Sequence, residues 1–154
     1  MSYFRTTTFR KPRPMPKPRK ALKKVGRKGD FWLFVAKILD LFFIRIDLPK
    51  VCEKCHLADP VRGSIDPAHS RRRVDIRVFD WWYAFRVAAL CQVCHHEIDS
   101  LGRGPAEPLI EKIISDRFRE LGLSEQAVKK LLLECAEEVQ MSDIERYGHF
   151  VVEL

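Results

Sequence analysis

A chain of 154 residues that is 46% hydrophobic is long enough for one domain with a real core and too short for two full ones. Its net charge of +7 is unevenly placed: residues 1–28 hold eleven Lys/Arg and no Asp/Glu, and the rest carries 17 basic against 21 acidic groups. No apolar run can span a bilayer, because the one beginning at Phe31 is interrupted by Lys37 and Asp40, and the same interruption argues against a secretory signal.

Residues 1–29 read as a basic, proline-rich disordered arm. From Arg10 to Lys20 proline alternates with cations, which blocks helix and favours an extended polyproline conformation. Cations at that density are attracted to a polyanion, and counterion release makes nucleic acid the expected one, with a solubilising tail as the plain alternative. Residues 30–154 read as a single domain. Asp30 is placed to N-cap a helix over 31–43, whose polar Lys37 and Asp40 fall on one side and leave a wide apolar face. Ile44 to Leu48 alternates apolar and charged residues, which suits a short strand or the frayed end of that helix before Pro49.

Two copies of Cys-x-x-Cys-His follow, Cys52 to His56 and Cys91 to His95, and they use four of the five cysteines. Between them, Ile65 to Ser70 and Val74 to Phe79 read as two short strands around the turn Arg71-Arg72-Arg73. Asp80 is placed to cap a helical stretch through Trp81, Trp82 and Tyr83, although four aromatics within Phe79 to Tyr83 also suit a strand. Those rings either pack in the core or stack on unpaired bases. Cys94 to Leu101 reads as a helix ending at Gly102, Pro108 opens a helix to Leu121, and Ser124 caps another through Val139. Cys135 falls on the apolar face of the last helix and reads as a core thiol.

In a reducing cytoplasmic setting, paired cysteines read as metal ligands before disulfides. Each knuckle aims two sulfurs at one point, so Cys52, Cys55, Cys91 and Cys94 make the soft tetrahedral set that structural Zn2+ prefers. Two other readings use the same residues. Each Cys-x-x-Cys-His is also a c-type haem attachment motif, against which stand the missing export signal and the basic arm. A closed Cys₄ zinc site by itself implies no catalysis, so any reaction must be carried outside the thiolates.

The order Cys52-x-x-Cys55, Asp66-Pro67-Ala68-His69 and Leu90-Cys91-x-x-Cys94-His95 resembles the HNH endonucleases, whose zinc-knuckled members hold a ββα-metal hairpin between two Cys-x-x-Cys pairs. The run from Ala36 to Arg45, with Val51-Cys52-x-x-Cys55 and Ala68-His69-Ser70-Arg71-Arg72, is similar to the phage NinG (Rap) recombination endonucleases over roughly residues 32–100. That resemblance implies a zinc-stapled ββα-metal centre over 50–101, and with the N-terminal apolar helix and the two C-terminal helices over 107–140 read from the residues the fold is α+β. It also implies His69 as general base and His95 as ligand of a catalytic divalent cation, Mg2+ or another. His96 is the fallback ligand, Asp66 a further candidate, and His56 is incidental.

Hydrolysing a phosphodiester needs a base beside water and a cation to neutralise charge growing on the phosphate oxygens, which suits these residue types. Arg71, Arg72 and Arg73 are then placed to grip flanking phosphates, with a solvated turn as the plain alternative. The implied activity is cleavage of branched DNA during recombination, in the host cytoplasm if the chain is phage-encoded, with a homodimer as the oligomer considered. Two positions depart from the family pattern. Ala68 stands where a metal-binding Asp or His is usual, and Arg86 stands where an Asn usually pins the loop carrying the base, so Asp75 or Asp80 is the expected substitute. A non-catalytic, zinc-containing nucleic-acid-binding protein is therefore the alternative.

Overall fold

The computed structural model describes residues 27–58 and 62–154, so the basic arm lies outside it up to residue 26. Helix α1 spans Arg27–Arg45. It starts four residues earlier than the sequence suggests, so Asp30 lies in the first turn instead of capping it, where a carboxylate still complements the helix dipole and pairs with Arg146 at 3.2 Å. Phe31, Phe34, Val35, Ile38, Leu39 and Phe42 repeat at helical spacing and are buried. Residues 44–48 are the helix end and a turn through Asp47 at φ 54°, not a strand.

The face of α1 packs on α5 (Glu125–Ser142) and the short α6 (Ile144–Tyr147), which the sequence did not announce. Ser124 caps α5 as expected, its hydroxyl accepting from the Ala127 N–H at 3.2 Å. The ring of Phe34 stacks on Tyr147 and on Phe150, each at 5.1 Å. Trp81 closes the same cluster from α2 (Trp81–Ala84), so it is a core ring and the helical reading of this stretch holds. Cys135 is fully buried there, and burial pushes its thiol pKa up.

The single sheet among the described residues pairs β1 (Ile65–His69) antiparallel with β2 (Val87–Cys91), Ile65 opposite Cys91 and His69 opposite Val87. Val74 to Phe79 is therefore not the second strand: residues 73–75 form a 3₁₀ turn and the rest is loop. Its alternation of apolar and charged residues suits a half-exposed strand, but Val87-Ala88-Ala89-Leu90-Cys91 is buried at every position and is the better partner inside the domain. Alternation along β1 puts Asp66 and Ala68 on one face and His69 on the other. Ala68, Ala88 and Leu90 pack with Ile98, Ile110 and Ile114, whereas Val87 joins the α1 cluster.

Helix α3 (Gln92–Asp99) follows β2 directly and packs on both strands. Gly102 at φ 87° turns the chain into α4 (Arg103–Glu120), which starts before Pro108 and keeps that proline inside the helix. Pro105 sits in the first turn, where a missing N–H costs nothing. No helix among the described residues is long and apolar enough to cross a membrane.

A buried ion pair ties these parts together. Arg117 of α4, 6% exposed, donates to both oxygens of Glu53 in the first knuckle at 2.5 Å and to the Val87 carbonyl at 2.8 Å. Glu53 also accepts the Ala89 N–H at 2.7 Å, and its own N–H donates to the Ala89 carbonyl at 2.9 Å. Removing one partner leaves a buried charge without compensation. Arg117→Ala is expected to cost about 3–5 kcal/mol of stability, measured by urea denaturation, whereas a pair near the surface such as Lys129–Glu125 should cost under about 1 kcal/mol.

Candidate metal centre and histidine cavity

The two knuckles meet because the first docks along β2 through Glu53 and the second continues from β2 itself. All four sulfurs of Cys52, Cys55, Cys91 and Cys94 lie within 4.8 Å of one another, with Cys55 and Cys91 at 3.8 Å. Four sulfurs at about 2.3 Å from a central ion would stand about 3.8 Å apart, so the set fits tetrahedral zinc. In each knuckle a backbone N–H points at the first sulfur: Cys55 to Cys52 at 3.5 Å and Cys94 to Cys91 at 3.4 Å. Cys91 also serves as the N-cap of α3, which places the second pair at the helix start.

Four thiols this close share protons unequally. Burial pushes Cys91 up, but the Cys94 N–H, neighbouring thiols and Arg62 outweigh it and bring its pKa to about 6. Burial and the neighbouring thiols push Cys94 up to about 12. His56 stays outside the cluster. It closes the first knuckle at φ 60°, its N–H donating to the Cys52 carbonyl at 2.8 Å, and it is not in the ligand cluster found among the described residues.

At the far end of β1, His69 sits edge-on to Trp32 at 5.5 Å and lines a cavity of about 30 Å³ with Ser70, Arg72, Asp75, Asp99 and Arg103. Its Nε2 is buried without a hydrogen-bond partner among the described residues. Burial, then the charges of Arg73 and His95, lower its pKa to about 4, against a raising interaction with the Ala84 backbone. The imidazole is therefore neutral above pH 6.

Helix α3 carries the other candidates. Cys94 and Ile98 form its buried stripe, and His95 and Asp99 form the adjacent one, with His95 Nε2 and Asp99 Oδ2 at 3.4 Å. His96 is one position further round and exposed. Asp66 is not among the cavity residues: it lies on the other face of β1 from His69 and accepts the Ser64 hydroxyl at 3.0 Å. Asp99 takes its place in the cavity. The signal for it was legible, since a carboxylate four residues after His95 falls on the same face of a helix.

The arginine turn divides its labour. Arg71 is committed to Glu107 at 2.8 Å and to the Tyr83 hydroxyl at 2.9 Å, with its guanidinium 3.6 Å from the Tyr83 ring centroid. Arg73 lies over Trp32 at 4.5 Å, and exposed Arg72 lines the cavity. Arg86 forms a bidentate pair with Glu111 of α4, and its carbonyl accepts the Ser70 N–H at 3.0 Å, which holds the start of the loop after His69. Asp75 pairs with Arg103 at 3.3 Å, and no side-chain cap hydrogen bond comes from Asp80. Trp82 and Tyr83 line an open cleft of about 600 Å³ with Glu107 and Glu111.

No protein-family model, curated protein or solved structure matches this chain.

Purified protein is expected to carry one tightly held zinc per chain by metal analysis, and a strong chelator to release it with loss of structure by circular dichroism. His69 adds a pH term. Because its pKa falls from 6.5 unfolded to about 4 folded, the unfolded chain binds the proton first and stability is lost as pH drops through that window. In urea titrations His69→Gln should gain stability relative to wild type between those two values and show no such gain above pH 7.

Proposed function

We propose that the chain is a metal-dependent endonuclease that hydrolyses DNA phosphodiester bonds, with branched or otherwise structured DNA as its substrate. The reading takes β1, β2 and α3 as a ββα-metal centre of HNH type, stapled by structural zinc on the four cysteines. The observation that carries it is His69, a largely buried, neutral imidazole whose Nε2 has no hydrogen-bond partner among the described residues and whose side chain lines a cavity with Asp99 and Arg72. A general base needs both a free lone pair and the neutral form at working pH.

His95 and Asp99 would hold the catalytic cation, Mg2+ or a similar divalent ion. When bound, that cation supplies neutralisation of charge on the phosphoryl oxygens and the leaving alkoxide. His69 takes a proton from the attacking water at Nε2, and Trp32 fixes its ring from the side. Arg72 is free to meet a phosphate, whereas Arg71 braces the loop against α4. The proline-rich arm adds nonspecific affinity for the DNA backbone.

A second reading, a non-catalytic nucleic-acid-binding protein, is favoured by Ala68, whose fully buried methyl packs where the family places a metal ligand. Incubation with a four-way junction, a flap and linear duplex in magnesium or manganese separates the two. Cleavage of a branched substrate is expected, with a loss of at least about 100-fold in His69→Ala at unchanged zinc content. Asp99→Ala should lose activity and Asp66→Ala should keep it. Intact binding with no cleavage of any substrate overturns the enzyme in favour of the second reading.

A further inference from the structure

Hydrogen-bond donors reach the four sulfurs unequally. Cys52 and Cys91 each accept a backbone N–H from within their own knuckle. Cys55 is half-exposed and open to water. Cys94 has neither: it is 1% exposed, and its own knuckle gives it no backbone donor. The one N–H aimed at it among the described residues comes from the Arg62 guanidinium, Nη2 to Sγ at 3.9 Å, and the same guanidinium also reaches Cys91.

Arg62 is held for this contact by the start of the β1 segment. Gly63, at φ 81°, lies so close to Gln92 that an added Cβ would stand 2.7 Å from its Oε1, so the backbone runs tight over the first turn of α3. The Ser64 hydroxyl accepts from Gln92 Nε2 at 3.1 Å, and the Ser64 carbonyl accepts the Gln92 N–H at 3.2 Å. The Nε of Arg62 is buried with no hydrogen-bond partner among the described residues. Four thiolates around a dication carry a net charge of −2. A buried thiolate with no donor would be the weak point of such a centre, because desolvated charge needs compensation. Lys54 is the other cation near the cluster, but its ammonium is paired with Glu97 at 3.0 Å.

We propose that Arg62 is the outer ligand-stabilising residue of the Cys₄ centre, donating to the Cys94 thiolate and offsetting the excess negative charge of the metal-loaded site. The role rests on metal binding alone and stands whether or not the chain cleaves DNA. Hydrogen bonds and charges outside the inner ligands set both the affinity of a metal site and the electron density on its donors.

The full chain is loaded with zinc or with cobalt(II), as wild type, Arg62→Ala, Arg62→Lys and Glu97→Gln. Competition with a chelator of known affinity should show Arg62→Ala holding zinc about 10- to 100-fold more weakly, with Arg62→Lys recovering part of the loss. Glu97→Gln, which frees Lys54, should bind at least as well as wild type. In the cobalt form the thiolate-to-metal charge-transfer band of Arg62→Ala should move to lower energy, because a sulfur without its donor is easier to oxidise, while the tetrahedral d–d bands remain. A purely structural residue would change the amount of folded protein and not that band. Zinc affinity within twofold of wild type together with an unmoved charge-transfer band would overturn the assignment. Should Arg62→Ala not fold, the same two readouts on Arg62→Lys decide, since an ammonium shifts the band only if the native contact reaches sulfur.

Discussion

The convergence of four sulfurs is the constraint on which the rest of the domain hangs. Cys55 and Cys91 are 36 residues apart in the chain and 3.8 Å apart in space, so closing that loop costs conformational entropy that local structure cannot repay. A metal ion bound by the set would repay it and would hold the start of β1 and the end of β2 together, since β1 starts beside the centre and β2 runs into it. The distal end of the same hairpin carries His69. A strand pair that a bound metal would anchor at one end, and that α3 and α4 cover on one face, has little freedom left at the other.

Ionic contacts refine this frame where metal does not reach. Glu53 sits within the first knuckle yet bonds to β2 and to Arg117, so the knuckle is clamped to α4 as well as to its own sulfurs. Arg71 and Arg86 do the same for the loop after His69, each held by a carboxylate of α4. Cations that look alike in a run of three are thereby sorted into braces and one free group. Arg86 in particular keeps the loop in place through its carbonyl to Ser70 and its side chain to Glu111.

The histidine cavity depends on two helices that do not belong to the hairpin. Trp32 of α1 covers the edge of His69, and Ala106 and Ile110 of α4 line the other side of the cavity with Asp99. The burial that keeps the imidazole neutral is therefore a tertiary effect, built from segments on either side of the knuckles. It explains why a histidine flanked by three arginines is not simply a solvated surface group.

Much of this was written in the sequence wherever a local rule decides. The cysteine spacing announced the metal set, the apolar period of 31–43 announced the buried face of α1, and Ser124 and Cys135 behaved as a cap and a core thiol. Helix starts were misread at Asp30 and Pro108 because a preferred residue near an end does not prevent the helix from extending past it when packing favours extension. The second strand was misplaced because alternation marks a half-exposed strand, whereas the real partner is buried on both faces and has no alternation to read. Asp66 was offered as a metal ligand because Ala68 cannot be one, and Asp99 was not singled out, although strand alternation turns Asp66 to the opposite face from His69 and a helix brings Asp99 into the cavity. Which residues can exist together in a site was determined by the sequence. Which of them meet was decided by the register of one strand pair and the rotation of one helix, quantities that depend on contacts between segments far apart in the chain.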